Sequence, residues 1–186
     1  RGLPIDLDMV QAAIAIDTEN RERLIARAME LMGIANPNSR DQFLDWLRGE
    51  EVEVDTLRKA DVAALRNGDL EPHVREALEI RAELSKSSTK KYYALAGATG
   101  KDGRLRGCFQ FNGAARTGRW AGRLFQPQNL PRGTIKPDYI GTARAAVKTG
   151  DYDLLATLYD SVSDVLVSCV RTAIAAPPGK ALIVAD

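Results

Sequence analysis

The residue types with the most chemistry in this chain sit in one short stretch. Arg116-Thr117-Gly118-Arg119-Trp120-Ala121-Gly122-Arg123 is followed by Gln126-Pro127-Gln128-Asn129-Leu130-Pro131-Arg132. Arginines, glycines and amides at this density are poor material for a core and good material for a nucleic-acid surface. A guanidinium presents a fixed fork of donors to phosphate or to acceptor atoms, and Gln and Asn both donate and accept at base edges. The glycines let backbone approach backbone closely.

The charge distribution points the same way. The chain has 26 basic and 25 acidic residues, a net charge of +1. Between residues 86 and 136, however, 11 basic residues face a single acid, Asp102, so that segment carries +10 and the remainder −9. Such sorting suits a polyanionic partner. Taken alone, it also suits a solvated surface whose charges balance across the fold.

The elements that must position these residues can be read from periodicity and breakers. Asp8 is placed to cap a helix with Val10, Ala13 and Ile14 on one face, continued by Leu24, Ala28 and Leu31 and stopped at Gly33. Ser39 with Gln42 forms a capping-box pattern ahead of Phe43, Leu44 and Leu47, with Gly49 as the stop. A short helix is expected from Thr56 to Arg66. Pro72 then opens a longer one with Val74, Ala77, Leu78, Arg81 and Leu84 on one side.

After Ala96 glycines punctuate the chain, and Arg104–Phe111 reads as extended, with Phe109 and Phe111 on the same side. The stretch from Asn112 to Pro137 lacks periodicity and reads as a long ordered loop. Helical spacing returns from Thr142 to about Ala173. Pro177-Pro178-Gly179 breaks it, and Ala181–Ala185 has the continuous apolar character of a strand buried on both faces, ending in Asp186. The fold class expected is α+β, mostly α.

Composition excludes several classes. At 45% apolar and 27% charged residues the chain is a globular type rather than a disordered one. No apolar run approaches the roughly 18 residues that span a bilayer, and no signal peptide is read at the start. Cys108 and Cys169 lie far apart and read as reduced thiols. With His73 the only histidine, a zinc site is not expected.

At the level of motifs the chain resembles the family A DNA polymerases, in particular their phage and prophage branch. That family carries Thr-Gly-Arg in its palm, then a spacer, then Gln-Asn-(Ile/Leu)-Pro, matched here by Thr117-Gly118-Arg119 and Gln128-Asn129-Leu130-Pro131. Its next motif is an arginine, a short apolar segment, a Pro-Gly-like turn and a strand ending in a metal-binding aspartate. Arg171 through Asp186 follows that pattern. Asn36–Ser39 and Arg81–Lys91 are similar, less specifically, to the thumb of the same family.

The resemblance implies a helical thumb-like region over residues 1–95. It also implies the N-terminal part of a polymerase palm over 96–186, with a few strands, flanking helices and a helical insertion at about 142–170. Bacterial members have a short connection where that insertion stands. It further implies template-directed nucleotidyl transfer with two Mg²⁺ ions, with Asp186 as catalytic residue and metal ligand. Without the surrounding motif, Asp186 would read as a surface carboxylate.

Arg119 is then expected at the minor groove near the primer terminus, where every base pair offers an acceptor. Gln128, Asn129 and Thr117 would hold the duplex beside it. Arg116, Arg123 and Arg132 are expected at phosphates, with structural ion pairing the alternative for Arg123 and Arg132. Lys86, Ser87, Ser88, Thr89, Lys90 and Lys91 would grip the duplex backbone; basic residues drawn to a helix end by its dipole are the alternative for each. Trp120 is expected to pack beneath the loop rather than stack on a sugar.

The implied partners are primer-template DNA, deoxynucleoside triphosphates and a C-terminal palm and fingers portion, in a bacterial cytoplasm and away from membranes. Ala121 and Gly122 depart from the small hydroxyl residues of many relatives, which removes two hydrogen bonds. A chain opening on Arg1 and closing on Asp186 reads as a piece of a longer enzyme, inactive by itself. A non-catalytic nucleic-acid-binding module keeping the same surface, or a helical scaffold with an incidental basic loop, are the other readings.

Overall fold

The computed structural model describes residues 2–58, 61, 62, 65, 68, 70–181 and 183. They form an α+β fold, mostly α, with two small antiparallel sheets. The chain divides into two compact units. One comprises residues 19–86, the other residues 1–18 with 87–186. Helix α1, Leu7–Met32, contributes its first part to the second of these and its remainder to the first.

In the unit of residues 19–86, Ala28 and Met32 of α1 pack with Phe43 and Leu47 of α2, Arg40–Gly49, and with Val74, Ala77, Leu78, Ile80 and Leu84 of α3, Pro72–Leu84. The signals that define these helices are local. Gly33 takes φ 66° and ends α1. The Ser39 hydroxyl accepts from the Gln42 N–H, satisfying an otherwise orphaned donor. Pro72 occupies the first turn of α3, where its missing N–H costs nothing.

Arg81 ties the unit together. Its guanidinium donates to the carbonyls of Pro37 and Ser39 and lies 4.8 Å above the Phe43 ring, so one side chain fixes the loop entering α2. The helix expected over Thr56–Arg66 falls partly outside the described residues. Asp61, Val62 and Leu65 are helical, whereas Thr56 precedes the helix and donates its hydroxyl hydrogen to Asp61.

The other unit is built around the start of α1. Met9, Val10, Ala13 and Ile16 meet Tyr92 and Leu95 of α4, Lys90–Ala98, and the buried faces of α5, Pro137–Lys148, α6, Tyr152–Leu158, and α7, Val162–Cys169. Tyr92 is wholly buried, and its hydroxyl donates to the Leu166 carbonyl at 2.7 Å, as a buried phenol requires. Strand β1, Leu3–Pro4, pairs antiparallel with β2, Arg104–Leu105. Strand β3, Phe109–Ala114, pairs antiparallel with β4, Arg119–Gly122. Cys108 and Cys169 are buried free thiols.

Three sequence expectations change. The cap of α1 is Asp6, whose carboxylate accepts from the Met9 N–H at 3.2 Å, with Asp8 inside the first turn. The helical stretch after Thr142 is three helices and a closing 3₁₀ turn, Val170–Ala173, and it begins at Pro137. Gly150, at φ 73°, breaks it first, and Asp151 and Ser161 then cap α6 and α7 by accepting from the N–H groups of Leu154 and Asp164. The stretch read as a long loop contains the end of β3 and all of β4, while Phe109–Phe111 of β3 lies in the stretch read as extended. The strands of this β3–β4 ribbon are short and bulged at Asn112, which takes φ 50°, so no period of two is visible in the sequence. The strand expected at Ala181–Ala185 lies largely outside the described residues.

Asp6 also pairs with Arg144 and with the Lys148 Nζ at 2.9 Å, joining the start of α1 to α5. Partial burial pushes its carboxyl up. The Lys148 and Met9 hydrogen bonds and the charges of Lys148 and Arg144 outweigh that and hold it below the ordinary aspartate range. A depressed acid stabilises the fold above its unfolded pKa and loses that contribution as pH falls through its folded value. Asp6→Asn keeps the cap but removes the charge. It should cost about 1–2 kcal/mol at pH 7. The cost should shrink as pH falls below the unfolded aspartate value and through the lowered folded one, as read from denaturant melts at pH 7 and at a series of acidic pH values.

Candidate nucleic-acid interface

The β3–β4 ribbon carries the Thr-Gly-Arg segment. Its turn forms because the N–H groups of Thr117 and Gly118 both donate to the Ala114 carbonyl at 2.9 Å, and Gly118 supplies the required left-handed φ of 64°. Arg116 and Thr117 stand exposed on this turn. Arg119 opens β4 opposite Ala114.

Because side chains alternate along a strand, the ribbon has two distinct faces. Arg119, Ala121 and Arg123 lie on one. Arg123 Nε donates to the Gln110 Oε1 at 2.7 Å there, and a Cβ on Gly113 would overlap Ala121. Phe109, Phe111 and Trp120 lie on the other. The Phe111 and Trp120 rings meet edge to face, centroids 5.2 Å apart at 72°. Trp120 is 61% exposed and Phe111 75%, so the expectation of a buried Trp120 is wrong. A two-stranded ribbon has one partner strand and no covering layer of its own, and the indole on its outer face stays in solvent.

After β4 the chain buries Phe125 and then turns through a 3₁₀ segment, Pro127–Asn129. Asn129 Nδ2 donates to the Gln126 Oε1 at 2.7 Å, which fixes the amide pair, while Gln128 and Asn129 remain exposed. Gly122 explains itself here: a Cβ at that position would overlap the Gln128 amide and the Gln126 side chain. The missing hydroxyl is therefore exchanged for a close seat for Gln128 against the ribbon.

Behind this segment lies an anchor the sequence did not reveal. Leu130 is buried in the core, and its carbonyl accepts from the Arg171 guanidinium at 3.2 Å. The Ser168 hydroxyl accepts from the Thr134 N–H at 3.0 Å and donates to the Asp164 carbonyl at 2.7 Å. Gly133 lies directly on α7, leaving no room for a Cβ beside Ser168. Arg132 is thus held exposed between two fixed points. Arg171 was legible only as a motif residue; Ser168 and Gly133 gave no separate signal.

The lysine cluster is divided. Lys86 belongs to the unit of residues 19–86, where its Nζ pairs with the Glu83 Oε1 at 2.6 Å. Ser88 is half-buried and Thr89 fully buried, which withdraws the Thr89 side chain from the surface. Lys90 is exposed, and Lys91 places its Nζ 5.9 Å over the Phe125 ring, next to the amide segment. Both lysines occupy the first turn of α4. A helix dipole opposes cations at that end, so the dipole explanation for them fails.

Electrostatically the surface is one-sided. The one acid in the segment, Asp102, is held by two hydrogen bonds from Arg106 at 2.6 and 2.9 Å, and that pairing keeps its carboxyl low. Among the described residues no carboxylate pairs with Arg116, Arg119, Arg123 or Arg132. Asp186 lies outside the described residues. Among the described residues no group of three or more His, Cys, Asp or Glu is placed to hold a metal, and no helix is long and apolar enough to cross a membrane.

Over all 186 residues the chain is 42% identical to a protein named DNA polymerase from Bacillus phage SP02. The chain spans 28% of the length of that relative. No family model matches the chain, and no solved structure matches it.

The anchor makes a specific demand on Gly133. Gly133→Ala forces a methyl against the α7 backbone and should destabilise this unit by about 1–3 kcal/mol. Gly141→Ala, on an exposed helix position with open space around it, should leave stability unchanged or raised. Thermal melts of the two variants give the comparison, and equal melting temperatures would contradict the tight seat.

Proposed function

We propose that this chain is part of a template-directed DNA polymerase of family A, and that the residues present hold primer-template duplex. The observation carrying the proposal is the exposed Arg119, Gln128, Asn129 and Arg132 surface, held by Arg171 and Ser168, in a chain similar throughout to part of a phage DNA polymerase. In this reading residues 1–95 supply the thumb, except that 1–18 and 87–95 fold with 96–186, the N-terminal palm, within a protein acting in the bacterial cytoplasm.

Each residue type has a physical task. Arg119 supplies a fork of donors to minor-groove acceptors that every correct base pair presents in the same place, which tests pairing geometry without reading sequence. Gln128 and Asn129 add donors and acceptors from the 3₁₀ segment that follows the ribbon. Arg116, Arg123, Arg132, Lys90 and Lys91 bind phosphates, for which their unbalanced charge is suited. Lys86 and Ser88 would add further backbone contacts.

Asp186 would be one ligand of a pair of Mg²⁺ ions, which prefer hard carboxylate oxygens. Bound there, the ions would activate the primer hydroxyl and steady the leaving triphosphate of a deoxynucleoside triphosphate. Further carboxylates and a nucleotide-binding surface would come from the rest of the palm and fingers.

Binding by the full-length protein tests this. Affinity for a primer-template should fall steeply between 50 and 200 mM salt, as the phosphate contacts of a DNA-binding surface demand. Arg119→Ala should weaken primer-template binding about tenfold at fixed salt, within the range for one lost base-edge contact. Arg132→Ala should mainly flatten the salt dependence, by roughly one unit of slope. Salt-insensitive binding, or full affinity in Arg119→Ala, would remove the duplex-holding role.

A further inference from the structure

The aromatic face of the ribbon has no task in the duplex reading. Phe111 and Trp120 are large aromatic side chains placed together in water on this unit, and Phe109, 44% exposed, lines the same face. Their edge-to-face contact is a defined geometry and leaves ring surface open. Leaving two such rings in solvent forgoes burial worth about 1.5–3 kcal/mol for each large apolar side chain, so an occupant is implied.

The surroundings say what kind of occupant. From Gly103 to Pro137 the chain has seven basic residues and no acid. Arg116 stands at the tip of the ribbon, and Arg119 and Arg123 line its other face. At the far end of the aromatic face, Gly122 pairs with Phe109 and seats the Gln128 amide. Exposed rings, a neutral amide beside them and the Arg116 cation at the tip match the needs of unpaired nucleotides. Bases stack on rings, base edges take the amide, and a phosphate takes the Arg116 guanidinium. A protein surface meeting this face would have to supply the acids that the segment lacks.

We infer that the Phe109–Phe111–Trp120 face is a stacking platform for unpaired bases of a single-stranded nucleic-acid segment, separate from the arginine face that holds duplex. The inference rests on the duplex-holding reading for its setting and adds a second, single-strand site on the reverse of the same ribbon. A primer-template supplies both partners, since its template continues as a single strand beyond the duplex.

The test uses the full-length protein and three fluorescein-labelled DNAs: a single-stranded oligo-dT, a primer-template with a single-stranded overhang, and a blunt duplex. The double variant Phe111→Leu/Trp120→Leu should lose about tenfold or more in affinity for oligo-dT, as expected for one or two lost base stacks, and should lose affinity for the overhang substrate too. Its affinity for the blunt duplex should change less than about twofold. The salt slope should stay as in the unchanged protein, because no charge is removed. Trp120→Phe, which keeps a ring, should retain most of the oligo-dT binding. Both positions are exposed, so melting temperatures should match.

Unchanged oligo-dT binding in the double variant would overturn the platform, and so would an equal loss on all three DNAs. If DNA binding is unchanged while the oligomeric state shifts, the face docks protein and the platform is likewise overturned. The two readings fail separately. Loss of primer-template binding in Arg119→Ala with no effect of the aromatic variants sinks the platform alone. An unaltered protein that binds neither duplex nor single strand sinks both.

Discussion

The geometry of the candidate surface depends on how one irregular segment is fastened to one short helix and the 3₁₀ turn that closes it. Residues 126–135 have little regular structure beyond a single 3₁₀ turn, so their backbone groups need partners from elsewhere. Arg171 and Ser168 supply them, one taking the Leu130 carbonyl, the other receiving the Thr134 N–H. Leu130 adds an apolar anchor, and Gly133 allows the close approach that brings the Ser168 hydroxyl within reach. Charge-assisted and neutral hydrogen bonds of this kind contribute about 1–3 kcal/mol each. Together they can hold a loop whose own conformational entropy favours disorder. Gln128, Asn129 and Arg132 are exposed because the backbone beneath them is tied down on both sides.

This dependence explains why two motifs far apart in sequence belong to one site. Arg171 opens the segment leading to Asp186, yet its guanidinium serves the Gln-Asn-Leu-Pro segment some forty residues earlier (|i−j| = 41). The helices between them, α5 and α6, pack on the same core and bring α7 back beneath the loop. This helical stretch therefore contributes packing and needs no chemistry of its own. Asp6 reinforces it by pairing with two cations of α5, so the first turn of α1 and that stretch are linked electrostatically as well as by apolar contact.

Much of this was legible in the sequence wherever a local rule governs. Ser39, Pro72 and Gly33 set helix ends through backbone groups within a few residues, and each acts as its type suggests. The misreadings have non-local or subtle causes. Asp6 and Asp8 are both plausible caps two residues apart, and the choice falls to Asp6, whose carboxylate also meets cations from α5. The ribbon is hidden because a bulge at Asn112 shifts its register within six residues. The Gly133–Ser168 seat is hidden altogether, since a glycine inside a loop gives no hint of which helix it will touch. For the site, residue types were legible while their burial was not, as Thr89 and Trp120 show in opposite senses.

Trp120 and the lysine pair illustrate one principle. A tryptophan in water and two lysines at the positive end of a helix are each unfavourable for the isolated fold. Local offsets are slight: the Trp120 ring meets the edge of another exposed ring, Lys91 lies 5.9 Å over the Phe125 ring, and Lys90 stays in solvent. Local rules fail where a sequence is shaped by something outside the fold, and functional sites are the usual place for that. Both exceptions fall in the same acid-poor stretch and flank the same amide segment, Lys91 through Phe125 and Trp120 through β4. A polyanion bearing stackable bases would relieve both at once, supplying phosphates for the lysines and flat apolar faces for the rings. No apolar partner alone would relieve the charge, and no simple anion would cover the rings.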